Sequence, residues 1–140
     1  MSWIDNPQIF PNIHGKYREK SQRDGKYNCI AWAANDTARW WSHSTGYVWP
    51  APRRADPEAL VSVFESLGYS RCGSGALEPG VEKVALYAIS RTWSHAARQL
   101  ANGEWTSKLG EDEDIQHETA ECLEGPAYGT VYCFMKRTTS

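Results

Sequence analysis

The hydrophobic pattern of this 140-residue chain changes character twice, from no period to a helical one and then to alternation. Residues 1–26 are polar and broken by Pro7, Pro11, Gly15 and Gly25, which predicts an extended arm packed by Trp3, Ile4, Ile9, Phe10 and Ile13. From Cys29 to Trp41 the chain is alanine-rich and free of Gly and Pro, which predicts a helix over 29–41. Cys29, Trp32, Ala33, Asp36 and Trp40 would share one side of it, with Ile30, Ala34, Thr37 and Trp41 on another. A helix apolar on two sides belongs in the middle of a fold. Gly46, Pro50, Pro52 and Pro57 make residues 42–57 a loop. Asp56-Pro57-Glu58 then reads as an N-cap with proline in the first turn, and Leu60, Val61, Phe64 and Leu67 continue a second helix over 57–67 up to Gly68. Residues 72–80 are glycine-rich connection.

Alternation takes over after residue 80. Strands are predicted at 83–88, 94–100, 104–109 and 129–135, with a turn at Asn102-Gly103. Helices followed by an antiparallel sheet of about four strands, covering residues 83–136, give an α+β fold class. The acidic run Glu111 to Asp114 reads as a solvated loop.

Composition narrows the picture. The length suits one domain over residues 1–140, able to bury a core without disulfides. Seven Trp and seven Tyr predict an aromatic core or cleft. A net charge of −2 gives no basic face, so nucleic-acid binding is excluded as an expectation. No stretch has the length to span a membrane, and the start from Met1 to Pro7 lacks both a basic and an apolar region. The expected location is the cytoplasm, with delivery by a signal-independent secretion route the alternative. Cys29, Cys72, Cys122 and Cys133 are widely spaced, so free thiols, no structural metal and no cofactor are expected. Oligomeric state is left open.

Candidate chemistry centres on Cys29, in the first turn of the most apolar helix. Unpaired backbone N–H groups and the helix dipole stabilise a thiolate there and can hold an oxyanion. Asn28 either caps the helix or donates to that oxyanion. His95, at the start of a strand between small neighbours, is the candidate base, and a thiol facing an imidazole is the minimum for nucleophilic acyl transfer. The group that orients His95 has two candidates. With a three-residue loop Ala101-Asn102-Gly103, Leu100 faces Glu104 and Ser107 falls on the histidine's own face; with a two-residue turn, Thr106 and Lys108 take that face. The other candidate is His117, carried back by the loop that includes Asp114, and Asp114 ranks behind both. Trp49, Tyr47 and Trp105 are the expected walls of a substrate cleft. His43 reads as a surface residue.

Tyr27-Asn28-Cys29-Ile30-Ala31-Trp32-Ala33 followed by His95 resembles the NlpC/P60 and CHAP groups of the papain-like superfamily, in which the cysteine opens a central helix packed on an antiparallel sheet. In those groups a third polar residue lies on the strand after the histidine, where Ser107 stands here. Together with Glu82 to Tyr87, Ser94 to Leu100, Trp105 to Gly110, Asp114 to His117 and Tyr128 to Val131, the motif also looks like a family of short uncharacterised bacterial proteins. The resemblance implies a papain-like fold and a cysteine hydrolase or acyltransferase acting on a peptide or peptidoglycan-like amide. The alternative is a catalytically weak binding module that uses an aromatic groove. A metal site from Cys29, His95 and His117 is a further rival without ligand-type spacing.

Overall fold

The structure, a computed structural model, describes residues 6–13, 15–19, 25–109 and 114–139. Trp3, Ile4 and the acidic residues 111–113 lie outside the described residues.

A seven-stranded antiparallel sheet dominates. Its strands are β1 (Tyr17–Glu19), β2 (Ser70–Cys72), β3 (Val81–Ile89), β4 (Thr92–Gln99), β5 (Trp105–Lys108), β6 (Asp114–His117) and β7 (Thr130–Thr138), in the order β1-β6-β5-β4-β3-β7-β2. The helices are short: α1 (Cys29–Ala33), α2 (Pro57–Ser66) and a 3-10 turn at Ala120–Leu123. The expected α+β papain-like fold, with a central helix carrying Cys29, is therefore overturned in favour of a β-rich one.

Local hydrogen bonding explains why the helix expected over 29–41 stops after five residues. Asn35 adopts φ 69°, the N–H of Asn35 bonds the carbonyl of Trp32 at 3.0 Å, and that of Asp36 bonds Ala31 at 2.8 Å. This paired closure around a left-handed residue satisfies the last carbonyls and turns the chain away. Asp36 then holds the next turn open by accepting from the Ala38 N–H at 2.8 Å, Arg39 Nε at 2.9 Å and Trp41 Nε1 at 2.9 Å. Such side-chain bonds compete directly with helical ones. The sheet is also wider than expected, because the arm supplies β1 as a partner for β6 and the chain after α2 supplies β2 as a partner for β7.

The second helix falls where its pattern predicts. Asp56 occupies the N-cap position without a side-chain bond to the helix, its carboxylate being taken by Arg54 at 2.8 Å. The apolar side of α2, Leu60, Val63 and Phe64, is fully buried, at about 1.5–3 kcal/mol for each large side chain.

Strand β3 lies between β4 and β7 and separates two hydrophobic clusters. Val84 and Leu86 join Cys29, Ile30, Leu60, Phe64 and Ala96 on the helix side. Ala85 and Tyr87 join Phe10, Ile13, Ala97, Trp105 and Ile115 on the other. That double burial is why Val84 to Tyr87 reads as a continuous apolar run. At the β3–β7 crossing Gly129 has φ 73°, and a Cβ there would lie 2.0 Å from the carbonyl oxygen of Ala88, so no other residue fits. Among the described residues no helix is long and apolar enough to cross a membrane.

Candidate functional site

The sheet is incomplete between β4 and β5. These strands pair only through Arg98 with Thr106 and Gln99 with Trp105, whereas β5 and β6 pair along the whole of β5. The hairpin closes through Leu100 N–H to the Glu104 carbonyl at 2.7 Å, so the loop is Ala101-Asn102-Gly103. Below Arg98 the two strands separate, and α1 packs against both of them.

Cys29 opens α1, and the backbone N–H groups of Ala96, Ile30 and Cys29 itself are directed at its sulfur. The thiol is 7% exposed, and burial pushes it up to about 11; those N–H groups and the charge of Lys108 pull in the opposite direction without overcoming it. At rest Cys29 is a neutral thiol. Asn28 is the N-cap: its Oδ1 accepts from Ala31 N–H at 3.1 Å and Trp41 N–H at 3.2 Å, and its Nδ2 donates to the Trp41 carbonyl at 2.7 Å. Engaged at both ends of its amide, Asn28 serves as the cap that ties α1 to the turn after it, and its bond to the Trp41 carbonyl takes one of the two Nδ2 hydrogens.

His95, Ser107 and His117 form one buried chain of hydrogen bonds. His95 Nε2 lies 2.9 Å from Ser107 Oγ, which lies 2.8 Å from His117 Nε2, and His117 Nδ1 lies 2.8 Å from the Thr119 carbonyl. All three side chains are fully buried. The two expected candidates for orienting His95 therefore act in series, Ser107 touching it and His117 holding Ser107. Asp114 is buried on β6 and is no member of this chain.

Donor accounting fixes the protons. A carbonyl only accepts, so His117 Nδ1 carries hydrogen and its Nε2 accepts from the serine hydroxyl. Ser107 in turn accepts from His95 Nε2–H, which leaves His95 Nδ1 as a bare lone pair. That nitrogen is buried and has no hydrogen-bond partner among the described residues. Both imidazoles are held neutral: desolvation, with His117 nearby, drives His95 well below the ordinary histidine range, and desolvation lowers His117 to about 4 against the opposing bond to Thr119. Tyr128 stacks on the His95 ring at 4.0 Å and 13°, while Tyr87 meets it edge-on at 5.1 Å. The register shift that makes Ser94 an extra residue of β4 lets its hydroxyl bond the Tyr128 carbonyl, fixing the stacked ring.

Cys29 and His95 make no hydrogen bond to each other in this arrangement. The sulfur belongs to the helix-side cluster and meets Ala96, the neighbour of His95, whereas the His95 ring rests on Tyr87 and Tyr128 of the opposite cluster. The expected aromatic cleft is not assembled either. Trp49 stacks on Trp93 at 5.3 Å within the helix-side cluster, Trp105 packs on Phe134 in the other, and Tyr47 is exposed. His43, expected at the surface, sits edge-on to Trp93 at 5.6 Å with a buried Nδ1. Neither Trp93 nor Tyr128 was marked by pattern; the stacking surface they offer depends on the bulge at Ser94 and on loop closure. Among the described residues no group of three or more His, Cys, Asp or Glu side chains is gathered that could hold a metal ion.

A family model described as a domain of unknown function, DUF7689, matches residues 18–136. The chain belongs to that family. The match takes in α1, the split sheet and every member of the His95–Ser107–His117 chain, so the DUF7689 unit contains the whole candidate site. No curated protein and no solved structure matches the chain.

Proposed function

We propose that this domain performs thiol-dependent acyl transfer on an amide, with Cys29 as nucleophile and His95 as base. The observation that carries the reading is the directional chain from Thr119 through His117 and Ser107, which leaves His95 Nδ1 as a bare lone pair, on the residue next in sequence to Ala96, whose backbone N–H is directed at the Cys29 sulfur. Two neutral imidazoles and a serine, all fully buried, are costly to assemble unless their bonds are satisfied. Among the described residues His95 Nδ1 is the one nitrogen of this chain of bonds left without a partner.

In the reaction the Cys29 S–H proton moves to His95 Nδ1 as the sulfur attacks the amide carbonyl carbon. Because the thiol rests near 11, proton transfer accompanies attack rather than preceding it. The N–H groups of Cys29 and Ala96 hold the oxyanion, and the bond from His95 Nε2 to Ser107 becomes charge-assisted once the imidazolium forms. Nδ1 returns its proton to the leaving nitrogen, the C–N bond breaks, and water releases the acyl group from the thioester with its proton passing through His95. Because the sulfur and the His95 ring lie in opposite clusters, attack requires an opening at the split that brings Sγ to Nδ1.

A second reading, a binding module without turnover, is favoured by the unactivated thiol and by the engagement of both ends of the Asn28 amide. Acylation separates the two. The folded protein is treated with p-nitrophenyl acetate and mapped by peptide mass spectrometry. The catalytic reading expects one acetyl group on Cys29 ahead of the more exposed Cys72, absent in Cys29→Ser and slowed at least roughly tenfold in Ser107→Ala. Acetylation of Cys72 as fast as Cys29, with no effect of Ser107→Ala, overturns it.

A further inference from the structure

Away from the split, a cavity of about 610 Å³ opens between the end of β4, the start of β3 and residues 77–80. Its size is that of a small-molecule site. Leu77, Val81 and Leu100 supply apolar wall, and Arg98 and Arg137 supply charge. The charged groups of the lining differ in one respect. Glu78 pairs with Lys83 at 2.6 Å and Lys136 at 3.5 Å, and Glu82 pairs with Arg137 at 2.6 Å, whose other nitrogen donates to the Leu67 carbonyl at 2.8 Å. The Arg98 side chain makes no hydrogen bond or ion pair among the described residues, although the charge of Glu82 reaches it; its guanidinium lies over the Trp32 ring at 5.6 Å, and its buried Nε–H has no acceptor there.

A buried guanidinium N–H without an acceptor calls for an explanation, and the geometry that satisfies it best is a carboxylate. We propose that this cavity binds a monoanionic ligand with an apolar body, its carboxylate held by Arg98 and its hydrocarbon portion by Leu77, Val81 and Leu100. One unpaired cation matches one negative charge. Glu78 and Glu82 at the wall repel a dianion such as a phosphate monoester. The chemistry is shared by free organic acids and by a peptide's terminal carboxylate. The Trp32 ring beneath Arg98 belongs to α1, so occupancy reports on a tryptophan close to the guanidinium.

The test uses the full chain and titrates hexanoate, hexanamide, and the tripeptide Ala-Leu-Leu with free or amidated terminus, read by tryptophan fluorescence and calorimetry. Saturable hexanoate binding is expected, with hexanamide and the amidated peptide roughly tenfold or more weaker, as loss of a charged hydrogen-bond pair implies. Arg98→Gln should weaken hexanoate by a similar factor. Leu77→Asp, at a half-exposed position, should do so too by placing a carboxylate at the mouth. A free-terminus peptide binding more tightly than hexanoate assigns the site to a chain terminus, and the reverse assigns it to a small acid. Equal binding of hexanoate and hexanamide, indifference to both substitutions, or no saturable binding of any carboxylate overturns the proposal.

Discussion

Replacing Ser107 by alanine removes one oxygen and two hydrogen bonds at once. The hydroxyl is fully buried, 2.9 Å from His95 Nε2 and 2.8 Å from His117 Nε2. Its loss leaves a donor on His95 and an acceptor on His117 without partners in a region closed to solvent. Each stranded group costs about 1–3 kcal/mol, so Ser107→Ala should lose about 2–6 kcal/mol of folding stability. Total stability for a domain of this size is on the order of 10 kcal/mol, so the change is large enough to measure without unfolding the protein. Urea unfolding monitored by tryptophan fluorescence reads it directly, with Ser62→Ala as the control, because the Ser62 hydroxyl is exposed and bonds only the Glu58 carbonyl at 3.1 Å. The control should fall within about 0.5 kcal/mol of the parent. If Ser107→Ala does the same, the two histidines are not joined through this hydroxyl and the proton accounting collapses.

Acidification should destabilise the fold before its carboxylates titrate. Because His117 sits at about 4 when folded against 6.5 ordinarily, its contribution is complete above pH 6.5 and is lost as pH falls toward 4, amounting to about 2 kcal/mol by pH 5, with His95 acting in the same direction. Urea midpoints at pH 7 and pH 5 check this, and equal stabilities would refute the buried neutral pair. Gly129→Ala must move the Ala88 carbonyl from 2.0 Å and accept φ 73°, so a loss of more than about 3 kcal/mol in thermal or urea unfolding is expected. Asn28→Ala removes three hydrogen bonds made by one buried amide and should cost about 2–4 kcal/mol, beyond an ordinary exposed cap; a cost below about 1 kcal/mol would show that the α1-to-Trp41 tie is dispensable.

Much of this architecture is legible in the sequence, for reasons that particular residues make plain. Val84 to Tyr87 is recognisable as a strand because both of its faces are buried, and α2 because Pro57 and Gly68 bracket a single apolar stripe. The short helix α1 is misjudged because alanine-rich composition carries no sign that Asn35 will adopt a left-handed conformation or that Asp36 will bond its neighbours' N–H groups. The edge strands β1 and β2 have three residues each, too few for a period to show, and their pairing is decided by the partner strands. Missing those edges is what turned a β-rich sheet into an expected α+β fold. Around the site, the loop Ala101-Asn102-Gly103 carries Ser107 onto the face of His95, one of the two registers the turn residues allow. That His117 stands behind Ser107 rather than in its place follows from β6 pairing with β5, a long-range choice that local pattern does not encode.

The central claim is that the bonds to Ser107 and His117 keep His95 neutral, with its hydrogen on Nε2 and a bare Nδ1. Long-range proton–nitrogen correlation NMR on uniformly nitrogen-15-labelled protein at neutral pH reads both imidazoles directly. The account predicts a neutral His95 protonated at Nε2 with an unprotonated Nδ1, and a neutral His117 protonated at Nδ1. A His95 protonated at Nδ1, or doubly protonated, would contradict it.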